Sequence, residues 1–114
     1  MRVFLVLGDR YVDLDRFGIL SVQEELIFNP YDLGRGIVGF HLRGDTILPV
    51  VDLNARIGLE KTEKSKYVVL RRCVFRIWYS RMTLEKPSGT ELNLDDLERE
   101  IISELEVNSP GEPG

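Results

Sequence analysis

The chain has 114 residues, 43% apolar and 30% charged, enough for one domain with a real core and too little for two ordinary ones. Its net charge of −4 is wrong for a general polyanion binder, and no apolar run reaches the ~18–20 residues of a membrane-spanning helix. A single cysteine excludes an internal disulfide and a cysteine-built zinc site, and the opening apolar stretch is too short for a signal peptide, so the expected compartment is the cytoplasm.

Residues 2–7, Arg2 apart, are apolar and include β-branched and aromatic side chains. Gly8-Asp9 follows, and residues 10–14 resume the pattern, which predicts a hairpin. Residues 17–28 fit neither the helical nor the strand period. Asn29-Pro30-Tyr31-Asp32 predicts a turn, because proline fixes φ and biases the residue before it away from helix.

Residues 37–42 and 46–51 predict two strands around a turn at Arg43-Gly44-Asp45. Pro49 lacks a donor, so its strand is expected at an edge or bulged there. Asp52 is placed to cap a short helix over 53–57, which Gly58 ends in the left-handed conformation.

Residues 61–66 form a charged loop, followed by strands over 67–70 and 74–82 around the connection Arg71-Arg72-Cys73. In the second strand Phe75, Ile77 and Tyr79 share one face and are expected inside. Trp78 then points outward, as an aromatic available for protein contact. Residues 86–89 are a loop. Asn93 caps a helix reaching about Val107, with Leu92 and Leu97 as a hydrophobic staple. Leu94, Leu97, Ile101 and Leu105 make its apolar stripe, which must be covered. Residues 108–114, with two prolines and two glycines, predict a flexible tail. Short strands followed by one helix point to a small, mainly β barrel with a helix packed on it.

Charge is unevenly spread. Residues 61–86 carry eight basic and two acidic side chains, +6, and residues 91–114 carry one basic and eight acidic, −7. The simplest expectation is that the two regions neutralise each other.

No catalytic constellation emerges. Gly34-Arg35-Gly36-Ile37-Val38-Gly39 spells a dinucleotide fingerprint, yet a proline turn precedes it and a strand follows, whereas the mechanism needs a strand before and a helix after. The glycines are expected to permit close backbone approach. Arg43-Gly44-Asp45 spells an integrin-type tripeptide and reads as a strand turn. His41 and Cys73 are the lone residues of their types, with nothing to bring them together as base and nucleophile. Asp9, Asp13 and Asp15 read as solvated hairpin acids. No cofactor or metal is implied, and the protein is expected not to be an enzyme.

Leu42-Arg43-Gly44, then Pro49-Val50-Val51-Asp52-Leu53, then Gly58-Leu59 resemble the signature of the CheW-like domain family. The opening hairpin, residues 67–82 and Leu94-Asp95-Asp96-Leu97-Glu98-Arg99 resemble other parts of that module, in the right order. The resemblance implies small SH3-like β-barrels and no catalysis. It implies a chemotaxis signal-transduction adaptor, or scaffold, that binds a CheA-type histidine kinase and chemoreceptor cytoplasmic tips.

Three departures stand out. His41 replaces the family's asparagine. The glutamate that pairs with the motif arginine aligns with Ile19, and Glu24 or Glu25 supplies it only after a shift. The module is shortened between about Met82 and Leu92, so residues 1–107 form a single domain reduced in its second half. The expected protein-binding residues are Arg43, Gly44, Leu42, Glu24 and Trp78, and a homo-oligomer is compatible with the reading. A competing reading is a small nucleic-acid-binding barrel using the basic-aromatic strand over 71–81, with Arg71, Arg72, Arg76, Trp78 and Tyr79.

Overall fold

A computed structural model describes residues 1–107 as ten strands and two helices. Strands β1 (Phe4–Leu7) and β2 (Arg10–Asp13) form the expected hairpin. β3 (Ile19–Gln23), β4 (Asn29–Gly34), β5 (Ile37–Arg43) and β6 (Thr46–Asp52) follow. Helix α1 (Leu53–Ile57) comes next, then β7 (Lys64–Leu70) and β8 (Val74–Tyr79). The short strands β9 (Arg81–Thr83) and β10 (Thr90–Glu91) precede helix α2 (Leu94–Val107).

The strands make two sheets, ordered β10-β2-β1-β9 and β3-β7-β8-β6-β5-β4. The mainly β architecture with a C-terminal helix is as expected. Closure is not: among the described residues no pairing joins the two edges of either sheet into a barrel. The predicted strand over 74–82 is broken at Ser80. Its amide donates to the Val6 carbonyl at 2.8 Å, so the chain leaves the large sheet there and joins β1 of the small one.

The main core lies where both sheets and both helices meet. Leu5, Leu7 and Val12 come from the small sheet and Val68, Leu70, Phe75 and Ile77 from the large one. Leu53 is added by α1, and Leu94 and Ile101 by α2. A smaller core of Leu48, Val50, Tyr67, Val69 and Val74 sits on the other face of the large sheet, with Leu26 and Phe28 packed on it.

Local chemistry explains the element ends. Asp52 accepts the Ala55 amide at 3.1 Å, and Gly58 ends α1 at φ 75°. Asn93 accepts the Asp96 amide at 3.0 Å, and Leu92 and Leu97 both pack on the main core, as a staple requires. Pro49 is opposite Phe40 of β5, while the ladder to β8 starts one residue later at Val50, so no partner on that side needs its missing donor.

The turn expected at 29–32 is instead β4, an exposed edge strand with Pro30 opposite Gly39. An edge strand has one ladder only, and proline is tolerated there. The fingerprint glycines do serve close approach: a Cβ on Gly39 would lie 2.3 Å from the Asn29 carbonyl oxygen, and one on Gly36 2.9 Å from the Arg56 Cβ.

The charge expectation is corrected. Among the described residues, the acids of α2 form no ion pair with residues 61–86. Glu100 and Glu104 hold Arg56, Glu104 also takes Arg35, and Asp96 takes Arg99. The link to the basic segment is the Arg72 backbone amide, donating to Glu98 at 2.8 Å. Asp13 is corrected as well: it is fully buried, paired with Arg2, and accepts the Asp15 amide. The tail expected at 108–114 lies outside the described residues.

Candidate protein-interaction surface

The β5–β6 hairpin positions the motif residues. Gly44 has φ 60°, which the tight turn after Arg43 requires and which a side chain resists. Arg43 is opposite Thr46, and Leu42 is opposite Ile47. Leu42 and Ile47 are 67% and 66% exposed, an apolar cross-strand pair left open to solvent. Tyr31 of β4 is 61% exposed, with its ring 6.4 Å from that of Phe40. Together with Pro30 these side chains line an open groove. A second groove shares Phe40 and Ile47 and continues to Ile102 and Leu105 of α2. The result is an apolar strip from the sheet edge to the helix, with Arg43 in the turn at the end of the hairpin.

Leu42, Arg43 and Gly44 therefore come together on one exposed hairpin. Glu24 does not join them. It follows β3 and is paired with Lys66, and among the described residues the Arg43 side chain makes no hydrogen bond or ion pair. Hydrogen bonding to Glu24 raises the Lys66 pKa. Glu24 lines a third groove with Glu25, His41, Tyr67 and Arg76.

Trp78 is corrected. It is only 8% exposed, although its strand neighbours Ile77 and Tyr79 are buried on the opposite face as expected. Its indole Nε1 donates to Asp52 at 3.3 Å, and Lys61 and Arg76 lie against the ring. Long basic side chains cover the aromatic that alternation alone leaves outside. The strand over 71–81 accordingly offers no aromatic platform for base stacking, since Tyr67, Trp78 and Tyr79 are all buried.

The catalytic candidates stay apart. Cys73 is fully buried in the main core, and desolvation pushes its thiol pKa far up, away from a nucleophilic thiolate. The His41 ring shares a 2.7 Å hydrogen bond with the Ile27 carbonyl. Among the described residues no cluster of three or more metal-ligating side chains occurs, and no helix is long and apolar enough to cross a membrane.

Sequence reasoning missed Ile47 and Tyr31. The signal for Ile47 was present: in the strand over 46–51, Leu48 and Val50 share one face, so Ile47 belongs to the other. Tyr31 was hidden by the turn expected around Pro30.

The chain matches no protein-family model and no curated protein. Its structure is similar to that of the scaffolding protein TtCheW from Thermoanaerobacter tengcongensis, with a TM-score of 0.56 and 19% identity. The match covers 77% of this chain and 64% of that one, so the chain spans less than two thirds of the protein it resembles. At that identity the likeness establishes architecture alone, and the architecture is CheW-like.

Proposed function

We propose that this chain is a non-catalytic, CheW-like chemotaxis adaptor of the cytoplasm. In this reading it binds a CheA-type histidine kinase, chemoreceptor cytoplasmic tips, or both. The observation that carries the proposal is the exposed Leu42–Ile47 pair beside an uncommitted Arg43, on the hairpin of a CheW-like fold. Apolar side chains beside an arginine have the composition of an interface anchor. Gly44 fixes the turn that presents Arg43, and Glu24 marks the adjoining groove.

The test is a titration of the full chain with a kinase regulatory fragment and with a receptor-tip fragment. Arg43→Glu is expected to weaken association by at least about tenfold at an unchanged melting temperature. Arg43→Lys is expected to weaken it less, because lysine cannot copy a two-point hold on a carboxylate. Unchanged affinity in both variants overturns the assignment.

A further inference from the structure

The β8 strand carries a cation, Arg76, that forms no ion pair among the described residues. The Arg76 guanidinium lies 4.2 Å from the Trp78 ring centroid and 5.1 Å from that of Tyr67. Its Nε donates to the Ser65 hydroxyl at 3.2 Å. These three contacts fix the guanidinium and leave its Nη groups without a hydrogen bond among the described residues. Asp52 is directly opposite Arg76 on the neighbouring strand, yet its carboxylate is occupied elsewhere, by the Ala55 amide and the Trp78 indole. Glu24 and Glu25 line the same groove; Glu24 is held by Lys66, and Glu25 bonds no cation among the described residues, Arg76 included.

A second cation meets the same indole. Lys61 Nζ is 4.5 Å from the Trp78 centroid and also has no carboxylate partner among the described residues. The two charges are therefore at most about 9 Å apart, close to the Debye length in physiological salt, so each feels the other. Like charges held this near repel, and an anion bound to both relieves that repulsion.

We propose that Arg76 and Lys61 form a docking site for the carboxylates of an acidic peptide segment on a partner protein. The guanidinium is oriented before the ligand arrives, so little freedom remains to be lost on binding. Its open Nη edge suits two-point hydrogen bonding to a carboxylate, while Lys61 supplies a point charge beside it. Nucleic acid fits less well, because the aromatic rings are buried beneath the cations and offer no open face for base stacking. The site uses none of Leu42, Arg43 and Ile47, so its success or failure does not decide the adaptor reading.

The test uses the full chain and three probes. These are a labelled twelve-residue glutamate-rich peptide, its glutamine counterpart and a twelve-nucleotide oligo-dT. Trp78 is the sole tryptophan, so its fluorescence reports occupancy directly. The acidic peptide is expected to bind with an affinity that falls as salt rises and to perturb Trp78 emission, and the glutamine peptide is not. Arg76→Gln and Lys61→Gln are each expected to weaken binding by at least about fivefold. Arg76 packs on two rings, so a melting curve accompanies its variant. If that variant fails to fold, Lys61→Gln, at an exposed position, decides the matter. No binding of the acidic peptide, unchanged affinity in the folded variants, or tighter binding of the oligonucleotide overturns the proposal.

Discussion

Arg56 of α1 reaches across to Glu104 of α2 and is itself nearly buried, with 8% of its side chain exposed. Its Nη groups also bond Glu100 at 2.8 Å and the Arg35 carbonyl at 2.9 Å, while its buried Nε has no partner among the described residues. Burial alone would lower the Arg56 pKa, but the hydrogen bonds to Glu104 and Glu100 outweigh it and raise the value. One residue thus ties the C-terminal helix to the short helix and to the β4–β5 turn. Arg56→Ala is expected to cost about 1–3 kcal/mol, because it removes a nearly buried guanidinium that bonds Glu104, Glu100 and the Arg35 carbonyl. Urea unfolding at pH 7 measures it, and an unchanged midpoint counts against the tether.

The same pair sets a pH dependence. Hydrogen bonding to Arg56 holds the Glu104 carboxyl below its ordinary 4.5. The folded value is depressed, so the stabilisation is full above the unfolded pKa and is lost as pH falls through the folded one. Glu104→Gln is therefore expected to be less stable than the parent at pH 7, with the difference shrinking on acidification below about pH 4.5. Parallel melting curves from pH 7 to pH 3 check this.

Asn54 holds α1 to β8 from inside the fold. It is 1% exposed, donates to the Glu60 and Trp78 carbonyls at 3.0 and 2.9 Å, and accepts the Trp78 amide at 2.9 Å. Asn54→Ala removes the side-chain partner from two buried backbone groups and is expected to cost about 2–4 kcal/mol. Asn54→Asp is expected to be destabilising too, since an acceptor-only carboxylate cannot donate to the two carbonyls. A variant as stable as the parent would contradict this account of the helix position.

Helix α2 is expected to be indispensable. Leu94 and Ile101 are fully buried, and covering each aliphatic side chain is worth about 1.5–3 kcal/mol before entropy costs. Truncation after Pro87 should give aggregation, and Ile101→Ala alone should cost about 2–5 kcal/mol. Size-exclusion chromatography and chemical unfolding report the two outcomes.

Two intrinsic probes report the interior. Trp78 emission is expected to be blue-shifted and poorly quenched by acrylamide. Cys73 is expected to resist thiol reagents at pH 8 and to react at the rate of unfolding, because desolvation holds it in the neutral form. Rapid labelling of the native chain would place the thiol at the surface.

Sequence alone determined the features that depend on neighbours along the chain. The first hairpin, the Asp52 cap, the left-handed Gly58, the Asn93 cap and the stripe of α2 all follow from short-range geometry, and the motif around Arg43 pointed to the CheW-like fold. Only tertiary structure decided what depends on residues far apart. The exit of the chain at Ser80 rests on Val6, the burial of Asp13 on Arg2, and the pairing of α2 on Arg56 rather than on the basic segment. Trp78 shows why: strand alternation fixes which face a side chain takes, but whether that face meets water is set by Lys61, Arg76 and Asp52, brought there by the fold.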